Sequence, residues 1–443
     1  MPGLHRYFSA YGEHGGMYAL KCKNILTRIG KDRQKVRNLK MQNLLKTGAI
    51  GKTKNDLILS VLMFLYCALL PFEEAFAYSF GSILRIFGVL IIAYIFFSFI
   101  SEPVKRYNLF LLAPFIIWII YSAVSVIWSD DFSWWSYFFK IYISQIALVV
   151  FVVLYCEHIN FEYLKNGLIV GAVIASAMLI LMPASSQLTE EGRRTIIIFD
   201  KVFDPNIVAS IISLGLFMII GKIFSQKSRK KLYIFLMIIL AIGMLFTGSR
   251  GALISLVAGF GVQLFLQMKK KNTRKKALFM VFLCVVIVIV ALAVLPSELI
   301  LSRFSKETLF GFNELASGSH NRYTIWKNAL TLIWKAPIIG YGCGNFFSAI
   351  ATVYRECASH NLYILLFVEG GVIGFLIFVY GLAKLLFGAY KRQLYSVLGM
   401  LFSVLVMAIT LDSITYKYFW VAIIFSAISI IKSDENLTVK QDE

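Results

Sequence analysis

Apolar runs long enough to cross a bilayer recur through most of this 443-residue chain. Lipid offers the backbone no hydrogen-bond partner, so such runs must satisfy themselves as helices or as a closed barrel. Barrel strands would show segments of roughly ten residues with alternating polarity, and these runs do not alternate. Only 15% of the residues are charged, against roughly a quarter in a soluble domain. The expected fold is therefore all-α, a polytopic membrane protein. The formal charge of +20 would suit a nucleic-acid partner if it lay on one folded face. Instead the lysines and arginines sit in an N-terminal arm and in particular short loops, as the positive-inside rule requires of cytoplasmic segments.

Twelve spans are expected, at about 57–72, 82–100, 108–128, 138–156, 167–183, 206–224, 232–247, 251–268, 277–295, 360–383, 394–411 and 417–432. Residues 1–56 form a basic cytoplasmic arm, 57–295 hold spans one to nine, 296–359 form a long extracytoplasmic loop, 360–432 hold spans ten to twelve, and 433–443 are a cytoplasmic tail. With this count QKSRKK, KKKNTRKK and KRQ all fall on the side of the arm, and the acidic or mixed loops fall on the other. Both termini are thus expected in the cytoplasm. The arm reads either as an amphipathic helix on anionic lipid or as a solvated tail. It has no apolar core of a cleavable signal peptide. The six cysteines lack metal-ligand spacing. Cys343 and Cys357 share one loop, where a disulfide is open.

Arginines on the outward side oppose the orientation rule and need another reason to be there. Arg250, in TGSRGA, lies where two spans meet, with glycine on either side; a ligand site and a snorkelling contact to lipid phosphate both fit. Arg193 and Arg194 precede Asp204, Pro205 and Asn206. That stretch reads equally as ligand-binding or as a turn followed by a helix start. Arg322 opens a surface helix in which Tyr323, Trp326, Leu330 and Ile333 recur at helical spacing. An anion there would meet both a guanidinium and a helix N-terminus. Pro337 ends that helix, and GYGCG, with Gly340 and Gly342, reads as a flexible turn. His360 stands at the mouth of the tenth span. Glu369 is buried within it and is expected to pair with a polar or cationic group on another helix. Arginine forks without a metal motif suit a diphosphate.

FDPNIVAS, TGSRGALIS, NRYTIW, PIIGYGCGNF and SHNLY…VEGGVIG, in that order, resemble the O-antigen ligase/O-antigen polymerase superfamily of bacterial envelope glycosyltransferases. The resemblance covers about 204 to 374; the first 150 residues share only hydropathy with the family. It implies transfer of a glycan from an undecaprenyl-diphosphate-linked donor to an acceptor sugar hydroxyl on the outer face of the cytoplasmic membrane. The acceptor is lipid A–core in ligases and another lipid-linked repeat unit in polymerases. It further implies Arg250 and Arg322 as the diphosphate clamp and His360 as base, with inversion at the anomeric carbon and no metal or other cofactor. Arg193, Arg194, Asp204, Asn206 and Tyr323 are the remaining candidate substrate contacts, with Glu369, Gly340 and Gly342 supporting them. Ligase members often carry Arg-x-x-x-Leu, and here Ile254 follows Arg250, which favours the polymerase branch. Twelve spans also suit a lipid-linked oligosaccharide transporter, although no internal repeat of the kind transporters show is evident.

Overall fold

The computed structural model describes residues 56–73, 82–182, 194–198, 201–225, 229–294 and 322–442, with the side chains of 283–294 and 435–442 excepted. The basic arm up to residue 55, Arg193 and positions 295–321 of the outer loop lie outside the described residues. The described residues are mainly helical, with a hairpin of two two-residue strands at Ile197–Ile198 and Lys201–Val202. Each expected apolar run carries a helix: α1 (Leu57–Ala68), α2 (Ile83–Phe99), α3 (Arg106–Val124), α4 (Phe132–Leu154), α5 (Phe161–Leu181), α6 (Pro205–Ser225), α7 (Lys230–Phe246), α8 (Arg250–Met268) and α9 (Lys271–Val294). After the loop come α10 (Arg322–Lys335), α11 (Phe346–Ala351), α12 (Leu362–Lys391), α13 (Tyr395–Met407) and α14 (Lys417–Asp442). Six helices among the described residues are long and apolar enough to cross a membrane: α3 with its 3-10 extension to Trp128, α4, α5, α6, α8 and α12. α1, α2 and α13 are shorter apolar helices.

Without a hydrophobic drive between helices in lipid, close backbone approach through small residues has to supply the packing. The tightest crossing joins α8 to α13. A Cβ on Gly259 would lie 2.4 Å from the Gly399 carbonyl, and one on Gly399 would lie 2.7 Å from the Gly259 carbonyl. α6 is the innermost long helix, with 89% of its apolar window buried. Basic side chains gather at one end of the bundle. There Lys222 meets Glu162 at 2.8 Å, and Arg392 grips Asp434 with two hydrogen bonds of 2.6 Å. The opposite end carries every sequence stretch expected to form the site.

Candidate functional site

Two helices begin side by side at that end. Pro205 opens α6, where its missing N–H costs nothing, and the Asp204 carboxylate accepts the Asn206 amide at 2.7 Å. Asp204 thus serves the helix start, the turn reading of this stretch. Asn206 reaches further: its side-chain oxygen accepts a hydrogen bond from the Ser249 hydroxyl at 2.7 Å. Ser249 is itself the N-cap of α8, accepting the Ala252 amide at 3.3 Å. Gly248 makes the turn with φ +59°, and Arg250 is the first residue of α8. Two positive helix ends and the half-buried Arg250 therefore meet around the Asn206–Ser249 bond.

The next link is Asp412, in the turn between α13 and α14. A Cβ on Gly251 would come within 2.7 Å of the Thr410 hydroxyl, so the Arg250 turn sits against this one. The Asp412 carboxylate accepts the His360 amide at 3.1 Å, the Asn361 amide at 3.0 Å and a close hydrogen bond from the Ser359 hydroxyl. Asn361 then caps α12, accepting the Tyr363 and Ile364 amides at 2.9 and 3.1 Å. His360 lies between these anchors in the left-handed region, with φ +49°. Such a backbone costs a β-carbon-bearing residue about 1–3 kcal/mol unless its surroundings impose it. Trp326 donates its indole N–H to the Ser359 carbonyl at 3.0 Å, which docks α10 one turn beyond Arg322. A chain of contacts thus joins Asn206, Ser249, the Arg250 turn, Asp412, the His360 turn and the helix that Arg322 begins.

The GYGCG segment is not the flexible turn its glycines imply. It fills a break in α12, where Gly371 adopts φ +57°, ψ −165°. The Tyr341 and Gly342 amides donate to the Val368 and Glu369 carbonyls, each at 2.9 Å, and the Pro337 carbonyl accepts the Val372 amide at 2.8 Å. The loop and the broken helix thereby complete each other's backbone hydrogen bonds, which a membrane protein must do somewhere. A Cβ on Gly340 would lie 2.5 Å from the Glu369 carbonyl, and one on Gly371 would lie 2.3 Å from the Ile338 carbonyl. Tyr121 closes the joint, its hydroxyl reaching the Ile339 and Gly370 carbonyls at 3.0 and 2.9 Å. Glu369 finds its partners here as well. Its carboxylate accepts the backbone amides of Gly344 and of Phe346, the first residue of α11, so the polar partner comes from the backbone and not from a cation. Asn345 then ties the loop to the α3–α4 connection, accepting the Asp131 amide at 2.9 Å. Cys343 and Cys357 are free and buried, and burial pushes both thiols above their ordinary value. They form no disulfide.

The structure also places Arg194, the face of α10 and one residue that sequence reading missed. Arg194 is occupied by packing: it donates to the Leu179 carbonyl at 3.2 Å and lies 4.4 Å from the centre of the Phe246 ring. It braces the α7 end that leads into the Arg250 turn. Along α10 the buried stripe is Ile325, Ala329 and Leu332, whereas Tyr323 and Leu330 are exposed. Trp326 alone of the named aromatics turns toward the His360 segment. Asp412, which orders that segment, gives no signal in sequence beyond its place in a short turn on the same side as the other site stretches.

A cavity of about 750 Å³ opens beside the His360 turn, walled by α2, α4 and the 412–417 segment. Asp412 and Ala358 contribute to its lining, as does the ion pair between Glu73 and Lys417, 2.5 Å apart. None of Asp204, Asn206, Arg250 and Arg322 lines it.

Comparison with known families matches residues 235–379 to the model described as O-antigen ligase. The match runs from α7 through the Arg250 turn, α10 and the His360 turn to the middle of α12. An uncharacterized protein of Haemophilus influenzae is 26% identical over 341 residues, covering 66% of this chain and 82% of the relative. Residues 235–379 are thus similar to the O-antigen ligase family, within a helical chain whose apolar helices mark it as a membrane protein.

Proposed function

We propose that this protein transfers a glycan from an undecaprenyl-diphosphate-linked donor to a sugar hydroxyl, on the outer face of the cytoplasmic membrane, in building a surface polysaccharide. The observation that carries the reading is the contact chain from Asn206 and Ser249 through Thr410 and Asp412 to His360 and Trp326. It unites stretches far apart in sequence at the end of the bundle opposite its basic loops. On the twelve-span reading of the sequence that end lies outside the cell and both termini inside.

Arg250 and Arg322 bind the donor diphosphate, each at the first residue of a helix, where helix dipole and guanidinium favour the same charge. They stabilise the negative charge that grows as the bond from the anomeric carbon to the phosphate oxygen breaks. His360 takes the proton of the acceptor hydroxyl as its oxygen attacks the anomeric carbon. The diphosphate leaves on its lipid, and one displacement inverts the anomeric centre. Asp412 is a positioning residue: it holds the His360 backbone, not the imidazole. No step calls for a metal, and polymerase is preferred to ligase because Ile254 departs from the ligase pattern.

The test incubates purified protein with a lipid-linked repeat unit, with and without a lipid A–core acceptor. A ladder of longer lipid-linked chains supports polymerisation, and a single transfer to the core supports ligation. Lipid movement across vesicles with unchanged covalent structure would replace this reading with a transporter.

A further inference from the structure

The cavity beside the His360 turn has a graded lining that no role so far explains. α2 and α4 run in the same direction, since His158, just past α4, meets Glu102, just past α2, at 2.6 Å. They touch near Gly88 and Leu148. One turn toward the site end of each helix lie Arg85 and Gln145, both lining the cavity. The Arg85 guanidinium makes no hydrogen bond or ion pair among the described residues, and the Gln145 amide makes no hydrogen bond there although the residue is only 5% exposed. The Gln145 amide therefore opens into the cavity, and an amide facing a slot that leads to hydrocarbon needs a polar occupant to satisfy it. Beyond this level toward the His360 turn the lining includes Trp134, Tyr137, Asp412 and the Glu73–Lys417 pair. On the other side it is Val89 and Ile92, with Val89 59% exposed on the outer surface of the bundle. Sugar-compatible rings, a cation with an amide, and an apolar exit follow one another along a single slot.

We propose that this cavity is the acceptor site and that it takes a sugar linked to an isoprenyl phosphate. The phosphate accepts hydrogen bonds from Arg85 and Gln145, the chain leaves past Val89 and Ile92 into the bilayer, and the sugar lies against Trp134 and Tyr137 beside Asp412. The proposal rests on the transferase reading and makes both substrates lipid-linked, as polymerisation requires.

Undecaprenyl phosphate is the probe, titrated by native mass spectrometry into the full-length Arg250→Ala protein, where the donor clamp is weakened. Saturable binding that survives an equimolar excess of phosphatidylglycerol is expected. Adding Arg85→Gln or Gln145→Leu should weaken it about tenfold or more, the worth of a charge-assisted hydrogen bond, and Arg85→Lys should restore part of the loss. Arg85 is exposed, so its replacement leaves the core intact, and thermal unfolding of each variant checks this. Unchanged binding in both double variants overturns the proposal. One-for-one displacement by phosphatidylglycerol also overturns it, making the slot a seat for ordinary phospholipid. Either failure leaves the transferase reading standing, because that is judged by glycan lengthening in the unmodified protein.

Discussion

His360 keeps a left-handed backbone because Asp412 holds the His360 amide and that of the next residue, on either side of the His360 α-carbon, while Asn361 anchors the helix beyond. Asparagine tolerates that conformation better than most side chains but is no base at neutral pH. His360→Asn should therefore leave the unfolding midpoint within a few degrees of wild type while slowing transfer by about 10²–10⁴-fold, the usual worth of a general base. A matched fall in both quantities would reduce His360 to a structural role. Asp412→Ala should do the opposite of a clean catalytic lesion. It removes the acceptor of the His360 amide, at a cost of about 1–3 kcal/mol for a group left unpaired, while the Asn361 amide keeps the Ser359 hydroxyl as acceptor and that hydroxyl keeps the Asn361 carbonyl. Thermal unfolding and transfer should fall together, and Asp412→Asn should recover part of each by keeping one acceptor oxygen.

At the scale of elements, the joint between the 337–346 loop and the break in α12 sets the position of everything after the outer loop. Gly371→Ala would put a methyl 2.3 Å from the Ile338 carbonyl at a positive φ. It should destabilise the fold by about 1–3 kcal/mol from backbone strain alone, with the clash adding more, read as a lowered unfolding midpoint. Glu369→Leu should cost about as much by leaving the Gly344 and Phe346 amides unpaired, whereas Glu369→Gln should cost less. This joint also marks where sequence reading stopped. The apolar runs announced the helices of the bundle, because lipid makes their composition unambiguous, but not the short α11 between α10 and α12. The motifs around Arg250, Arg322 and His360 announced the site, because cations away from the basic end need a reason. GYGCG read as flexible, because glycine permits a free turn and a tight docking alike, and only the partner backbone decides between them. Glu369 read as half of an ion pair because backbone amides carry no sequence signature. Arg85 was legible by the same membrane-depth rule that singled out Arg250, but the surrounding helices offered no motif to draw attention to it.

For the whole molecule, the account requires one end outside and one inside. In a cysteine-depleted background, Glu356→Cys should react with a membrane-impermeant maleimide added to intact cells, and Asn272→Cys should react only after permeabilisation. The reverse pattern would invert the protein and place the proposed site in the cytoplasm. The α8–α13 crossing is the other global constraint: Gly259→Leu would force apart backbones that now touch and should lower stability by several-fold more than a leucine on the lipid-facing side of α8, in the manner of close-packed membrane helices. The most direct measurement of the central claim takes undecaprenyl-diphosphate affinity and glycan transfer rate side by side for Arg250→Ala, Arg322→Ala and His360→Ala. Both arginine variants should bind the lipid diphosphate about tenfold or more weakly, while His360→Ala binds it as wild type does and fails to transfer. Normal transfer by His360→Ala, or undiminished diphosphate binding by both arginine variants, would contradict the account.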